Sequence, residues 1–225
     1  MSGKAPRDTP QAVVRLVPGG GAHTARQIFN QWMYLSRRGA MPLRRCERHL
    51  AVPLQPSQMR ATALSWAREA GYCGVAAAAA EGVRALTTHL VVSFPPGTDG
   101  ALAFMIGRAW AQTMFGSGEH GGTFDYVSAC HHDRPHPHVH LVVNRRALEG
   151  HWLKISRRHP ELNYDRLRSG LVAVSAQHGL MLEATSRQDR GIDHPPPTYA
   201  EYRRQARRAA ATQAISVPVS KDPPA

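Results

Sequence analysis

Nothing constrains this chain more than residues 129–144, which read Ala-Cys-His-His-Asp-Arg-Pro-His-Pro-His-Val-His-Leu-Val-Val-Asn. Five imidazoles (His131, His132, His136, His138, His140) and one carboxylate (Asp133) fall within the ten residues 131–140. Side chains of an extended strand alternate faces, so His138 and His140 project together while Val139, Leu141 and Val143 go to the other side. Upstream, Phe124 to Cys130 also reads as a strand, and Pro135 and Pro137 keep the two from merging. The spacing predicts a hairpin whose loop runs from His132 to Pro137, with His131 opposite His138. Three neutral imidazoles then share one point. Such a trio recurs as a divalent-cation site with a position left open. With no carboxylate in contact, the cation keeps its full charge for an anion such as phosphate. Asp133 suits an outer position, accepting the second ring N–H of a ligand histidine.

Charge narrows the partner. The 28 Lys+Arg against 16 Asp+Glu in 225 residues give a net +12, and the pI is near 10.6. A polyanion is expected, with nucleic acid ahead of an acidic membrane surface. No apolar run approaches the roughly 20 residues of a spanning helix, and no secretory signal opens the chain, so membrane insertion is not expected. A hydrophobic content of 42% and a mean hydropathy of −0.38 describe a soluble globular protein. Three scattered cysteines (Cys46, Cys73, Cys130) without a C-x-x-C pair fit a reducing cytoplasm and argue against a zinc finger.

Along the chain, residues 1–11 read as a disordered leader. Ala12 to Val17 is a β-branched strand, and the glycines that follow match neither phosphate-loop pattern. Thr24 can cap a helix running to about Ser36, with Ile28, Trp32 and Leu35 as its buried stripe. The opposite face carries Gln27, Asn30, Gln31, Tyr34, Arg37 and Arg38, so Tyr34 lies on a basic, polar side. Adjacent positive charge makes a phenol easier to ionise. Further helices are expected over Pro56 to Ala70, Asp99 to Phe115 and Tyr164 to His178, and Ala76 to Ala80 reads as a variable loop or short helix. Arg145, Arg146, Lys154, Arg157, Arg158 and His159 follow the hairpin as phosphate contacts, and Trp152 can stack on an unpaired base.

Asn30 to Gly39 together with His131 to His140 resembles the HUH-type conjugative DNA relaxases, and within them the virulence relaxases that cut T-DNA borders of tumour-inducing plasmids. Arg15 to Gly21, Thr87 to Asp99, Phe115 to Gly118, Val143 to Arg146 and Trp152 to Pro160 are similar too, in the same order, so the likeness covers roughly Val13 to Ala211. It implies Tyr34 as nucleophile, His131, His138 and His140 as ligands of Mg²⁺ or Mn²⁺ (Zn²⁺ in a purified sample), and Asp133 as the motif's acidic residue. The middle motif maps onto a strand from Leu86 to Phe94, where His89 and Ser93 share a face and both contact DNA, Ser93 near the cut. His132 departs from the pattern, where an apolar residue is more usual. That leaves His131 and His132 competing as third ligand, and parity across the hairpin favours His131.

The resemblance implies a nick in single-stranded DNA at a transfer origin or T-DNA border, leaving a 5′-phosphotyrosyl link. Asp133, His136 and plain metal assistance all remain open as the base, and His136 also faces the DNA. Accessory relaxosome and type IV secretion proteins are the implied partners, in a bacterial cytoplasm from which the protein leaves with the strand. The expected fold is α+β, an antiparallel sheet of about five strands with helices mainly on one face and the histidines on central strands. Residues 12–190 form the relaxase domain, and residues 191–225 a Pro-rich linker, basic helix and tail, with a longer protein expected beyond. Two other classes fit the composition: a three-His metallohydrolase using a metal-bound water, and a basic nucleic-acid module with a structural metal.

Overall fold

The computed structural model describes residues 9–71, 84–186, 188–191 and 204. Most of the expected leader, Cys73, the Ala76 to Ala80 run, and nearly all of the linker, basic helix and tail lie outside the described residues. Residues up to Thr185 form one compact unit, and it is a six-stranded antiparallel sheet with four α-helices. In chain order these are β1 (Val13–Leu16), α1 (Ala25–Leu35), β2 (Leu43–Arg45), β3 (Pro53–Leu54), α2 (Pro56–Glu69), β4 (Thr87–Ser93), α3 (Gly100–Ala111), β5 (Tyr126–His131), β6 (His138–Asn144) and α4 (Tyr164–Gln177). The sheet order is β1-β4-β6-β5-β2-β3, so the histidine strands β5 and β6 lie at its centre.

Helix boundaries follow local chemistry. The Thr24 hydroxyl caps α1 by accepting from the Gln27 N–H, Asp99 caps α3 at Leu102, and Asn163 caps α4 at Asp165 and Arg166. α2 begins at Pro56, whose missing N–H costs nothing at that position. α3 runs on into a wider π turn over Gln112–Gly116.

Helices cover both faces of the sheet, not mainly one. Val139, Leu141 and Val143 of β6 pack with Leu90 and Val92 of β4 against α3 and α4, through Ile106, Trp110, Leu167 and Leu171. On the other face Val127, Ala129 and Val142 meet Ile28, Trp32 and Leu35 of α1 and Met59, Ala63 and Trp66 of α2. Every residue of β5 is buried, and so is every residue of β6 but His140. A strand buried on both faces reads as a continuous apolar run and hides the second layer from an alternation argument. The sheet has six strands, in keeping with the expected about five; β2 and β3, three and two residues long, carry no periodicity of their own.

One buried carboxylate ties the β2 edge to the centre. Asp125, just before β5, pairs with Arg48 and receives hydrogen bonds from Cys46 Sγ (3.2 Å) and His49 Nε2 (3.3 Å). Burial opposes its charge, but the Arg48 and Cys46 hydrogen bonds outweigh it and hold the carboxyl below its ordinary range. Burial, reinforced by the neighbouring Asp125 charge, pushes the Cys46 thiol up to about 11, so it is a proton donor here. Since the Arg48 guanidinium already neutralises the carboxylate, these donors form a structural ion pair.

Trp32 anchors α1, fully buried with its ring edge-on to Trp66 at 4.8 Å between centroids. Trp32→Ala is expected to cost about 3–5 kcal/mol of stability, read as a lower urea midpoint. A loss near zero would mean that α1 is not held by this contact.

Candidate active site

Pairing of β5 with β6 places His131 directly opposite His138, and Ala129 opposite His140. Alternation then puts His131, His138 and His140 on the α1 side of the sheet. One ring nitrogen from each lies within 4.8 Å of the other two, and the ring centroids are 4.5 to 5.4 Å apart. His132 points elsewhere: its ring lies against Gly100 at the start of α3, with Nδ1 3.9 Å from Cys130 Sγ. Of the two competing third ligands, the structure gathers His131.

Each of the three has its other nitrogen engaged. His131 Nε2 is 2.8 Å from the Leu35 carbonyl and His138 Nδ1 is 3.2 Å from the His136 carbonyl. A carbonyl can only accept, so these nitrogens carry protons and leave His131 Nδ1 and His138 Nε2 as lone pairs facing the common point. His140 Nδ1 is 2.9 Å from His89 Nε2 on β4. Three imidazoles, each offering a ring nitrogen within 4.8 Å of the other two, are a donor set that could hold a divalent cation.

Burial favours the neutral form of His89, His138 and His140. Desolvation, then the neighbouring His131, pushes His89 down to about 4. Desolvation, then His131, His89 and His138, takes His140 to about 2. His138 is also lowered, chiefly by burial. Neutral imidazole is the form a metal requires.

Tyr34 sits on the last turn of α1 and is 74% exposed. Two tethers fix this helix end to the histidine hairpin. The Leu35 carbonyl receives His131, and Arg37 pairs with Asp133 at 2.8 Å. The helix stops at Leu35, so Arg37 and Arg38 occupy the turn beyond it rather than its polar face. There the Arg38 N–H reaches the Met33 carbonyl and the Arg37 N–H that of Tyr34, a Schellman closure. Glycine is the usual residue at such a left-handed position, yet Arg37 and Arg38 hold it at φ of 50° and 60°. Arg37 therefore carries a backbone cost in a place where its side chain reaches Asp133.

Other expected site residues divide. Asp133 bonds Arg37, and no hydrogen bond to a ligand histidine is recorded for it among the described residues; burial opposes its charge, but its own backbone N–H, Arg37 and His138 keep its carboxyl low. His89, expected at the DNA, is 8% exposed and bonded to His140, which makes it part of the cluster's support. Arg145, expected on phosphate, donates instead to the carbonyls of Ala85 and Leu153, and burial depresses its ionisation. Ser93 pairs in register with His138 at the edge of the cluster. Trp152 lies between two guanidiniums, Arg84 and Arg146, at 5.9 and 5.8 Å from the ring centroid. His136, Lys154, Arg157 and Arg158 are exposed. The Leu35 carbonyl had no signal in the sequence, because a backbone acceptor is supplied by any residue type.

A family model for the MobA/VirD2-like relaxase nuclease domain matches residues 52–180. The T-DNA border endonuclease VirD2 of Rhizobium radiobacter is 52% identical over 204 residues, covering 90% of this chain and 48% of that protein. VirD2 of Agrobacterium fabrum is 51% identical over 204 residues, with 90% and 46% covered. The chain thus spans about half the length of the curated relatives it matches. A solved structure titled "Molecular Basis of Vancomycin Resistance Transfer in Staphylococcus aureus" aligns with a TM-score of 0.45 at 10% identity, over 78% of this chain and 99% of that one. Among the described residues no helix is long and apolar enough to cross a membrane.

In chelator, the histidine cluster makes folding acid-sensitive. Folded His89 and His140 stay neutral below pH 6.5, the ordinary value, whereas the unfolded chain takes up protons there. Stability is therefore full above pH 6.5 and falls as pH is lowered, by about 1.4 kcal/mol per pH unit for each histidine. For His89 the loss ends near pH 4, while for His140 it continues towards about 2. Urea midpoints measured across this range read the effect, and a flat profile would contradict the buried neutral cluster.

Proposed function

Because the chain belongs to the MobA/VirD2-like relaxase nuclease family, we propose that it nicks single-stranded DNA at a specific site by transesterification, with Tyr34 as nucleophile. The observation that carries this reading is the double tether, Leu35 to His131 and Arg37 to Asp133, which fixes the end of α1 bearing an exposed phenol to the three-histidine hairpin. Such positioning is most of what phosphoryl transfer asks of a protein.

In the proposed step the Tyr34 oxygen attacks phosphorus in line, the P–O bond to tyrosine forms and the bond to the 3′ oxygen breaks. The phenol gives up its proton and the departing 3′ oxygen acquires one, leaving 5′-phosphotyrosyl DNA and a free 3′-hydroxyl. One phosphodiester replaces another, so the step is close to isoenergetic and the same residues can rejoin the ends. His131, His138 and His140 would hold a divalent cation, which supplies charge neutralisation at the nonbridging oxygens. Mn²⁺ or Mg²⁺ is the proposed ion, and the all-imidazole donor set also suits Zn²⁺. With Asp133 held ionised by Arg37, its part is to fix the helix end.

The DNA is proposed to be a T-DNA border or plasmid transfer origin, as the relatives' name suggests. Relaxosome and type IV secretion proteins are the proposed partners, and the bacterial cytoplasm, with export on the strand, the proposed setting. Arg157, Arg158 and Lys154, exposed beyond the hairpin, supply phosphate contacts.

End-labelled border and transfer-origin oligonucleotides with Mn²⁺ test the chemistry. Wild type is expected to give a protein-linked band that chelator, Tyr34→Phe and His138→Ala each abolish. Cleavage surviving in Tyr34→Phe without an adduct would instead support a metal-activated water. For binding, Arg157→Ala and Arg158→Ala are each expected to weaken affinity equally across sequences and to reduce the salt slope by about 0.7, measured by anisotropy. A sequence-dependent loss would place these residues at the bases.

A further inference from the structure

We infer that His89 is a positioning residue for the three-histidine site, fixing the tautomer of His140 by accepting its Nδ1 proton. This deepens the metal reading above and rests on it.

His89 and His140 face each other from neighbouring strands. Val91 pairs in register with His140, and His89, two residues earlier on β4, is the diagonal neighbour on the same face. The rings lie 5.1 Å apart between centroids, with 36° between their planes, and His89 Nε2 is 2.9 Å from His140 Nδ1. One proton occupies that line, and it has two positions. If His89 donates, His140 Nδ1 is the acceptor, and the neutral His140 ring carries its proton on Nε2, where it blocks the common point. If His140 donates, its Nε2 lone pair is released toward His131 and His138.

The other two members of the cluster have no such choice. Their outer partners are the carbonyls of Leu35 and His136, which only accept. His140 alone rests on a group that can act either way. Among the described residues no carboxylate hydrogen-bonds any of the three. An imidazole therefore stands where carboxylate or carbonyl is usual behind a ligand histidine. His89 is 8% exposed, so water competes little for the acceptor nitrogen.

The test joins spectroscopy to metal affinity, using the full chain. Long-range proton–nitrogen NMR in chelator reads the tautomer directly: His140 is expected to carry its proton on Nδ1, and a proton on Nε2 overturns the inference. Calorimetric titration with Mn²⁺ is expected to show about a 10–100-fold weaker Kd in His89→Leu, the range for lost outer partners. His89→Gln, whose side-chain carbonyl accepts the same proton, is expected to recover most of that loss. Equal losses in both variants, or a change under about twofold in His89→Leu, overturn the role of His89. Wild type that takes up no Mn²⁺ defeats the metal reading and this inference with it. Uptake that needs His138 but not His89 defeats the inference alone. Melting curves in chelator confirm that the variants compared are folded.

Discussion

The pairing of Tyr126–His131 with His138–Asn144 sets the position of the three histidines of the site. A two-residue side-chain period means that one register decides both faces at once. With His131 opposite His138, the apolar set Val139, Leu141 and Val143 goes under α3 and α4, and the three imidazoles emerge together on the α1 side. A slip of one residue would turn the histidines toward Ile106 and Trp110 and the valines toward α1. The packing that stabilises the sheet therefore enforces the geometry of the histidine triad, and the triad needs no separate device to hold its register.

The proposed nucleophile rides on a helix with supports of its own. α1 is held along its length: the Thr87 hydroxyl donates to Gln31 Oε1, the Gln31 amide reaches the Gly20 carbonyl, and Trp32 is sunk beside Trp66. At its end the Leu35 carbonyl that would otherwise be an unsatisfied helix terminus accepts from His131. One hydrogen bond thus closes the helix and orients a candidate ligand. Tyr34, one residue earlier, is left facing solvent on a rigid support. The left-handed Arg37 beside it is the sort of local strain that persists where the surrounding structure over-determines it.

Much of this was legible in the sequence. The H-x-H strand, the proline-marked loop and the parity that selects His131 needed only the strand period. The Thr24 cap and the stripe Ile28, Trp32 and Leu35 needed only the helix period. Less legible were features with no pattern of their own. β2 and β3 are too short to alternate, and the helices on the second face left no mark because the histidine face of β6 reads as polar although nearly every position of β5 and β6 is buried. Side chains with two uses carry no sign of their long-range partner: His89 and Arg145 have the chemistry of DNA contacts, and in the fold His89 meets His140 while Arg145 donates to the Ala85 and Leu153 carbonyls. Asp133 was expected behind a histidine and meets Arg37, because the helix ends two residues before that arginine and the left-handed turn carries it toward the loop.

The most direct measurement is anomalous diffraction at the manganese edge from crystals of the chain grown with Mn²⁺. The account requires a single strong peak about 2.1–2.3 Å from His131 Nδ1, His138 Nε2 and His140 Nε2, on the side of the sheet that α1 covers. A peak bound through His132, or one at Asp125, or no peak within the hairpin at all, would contradict it.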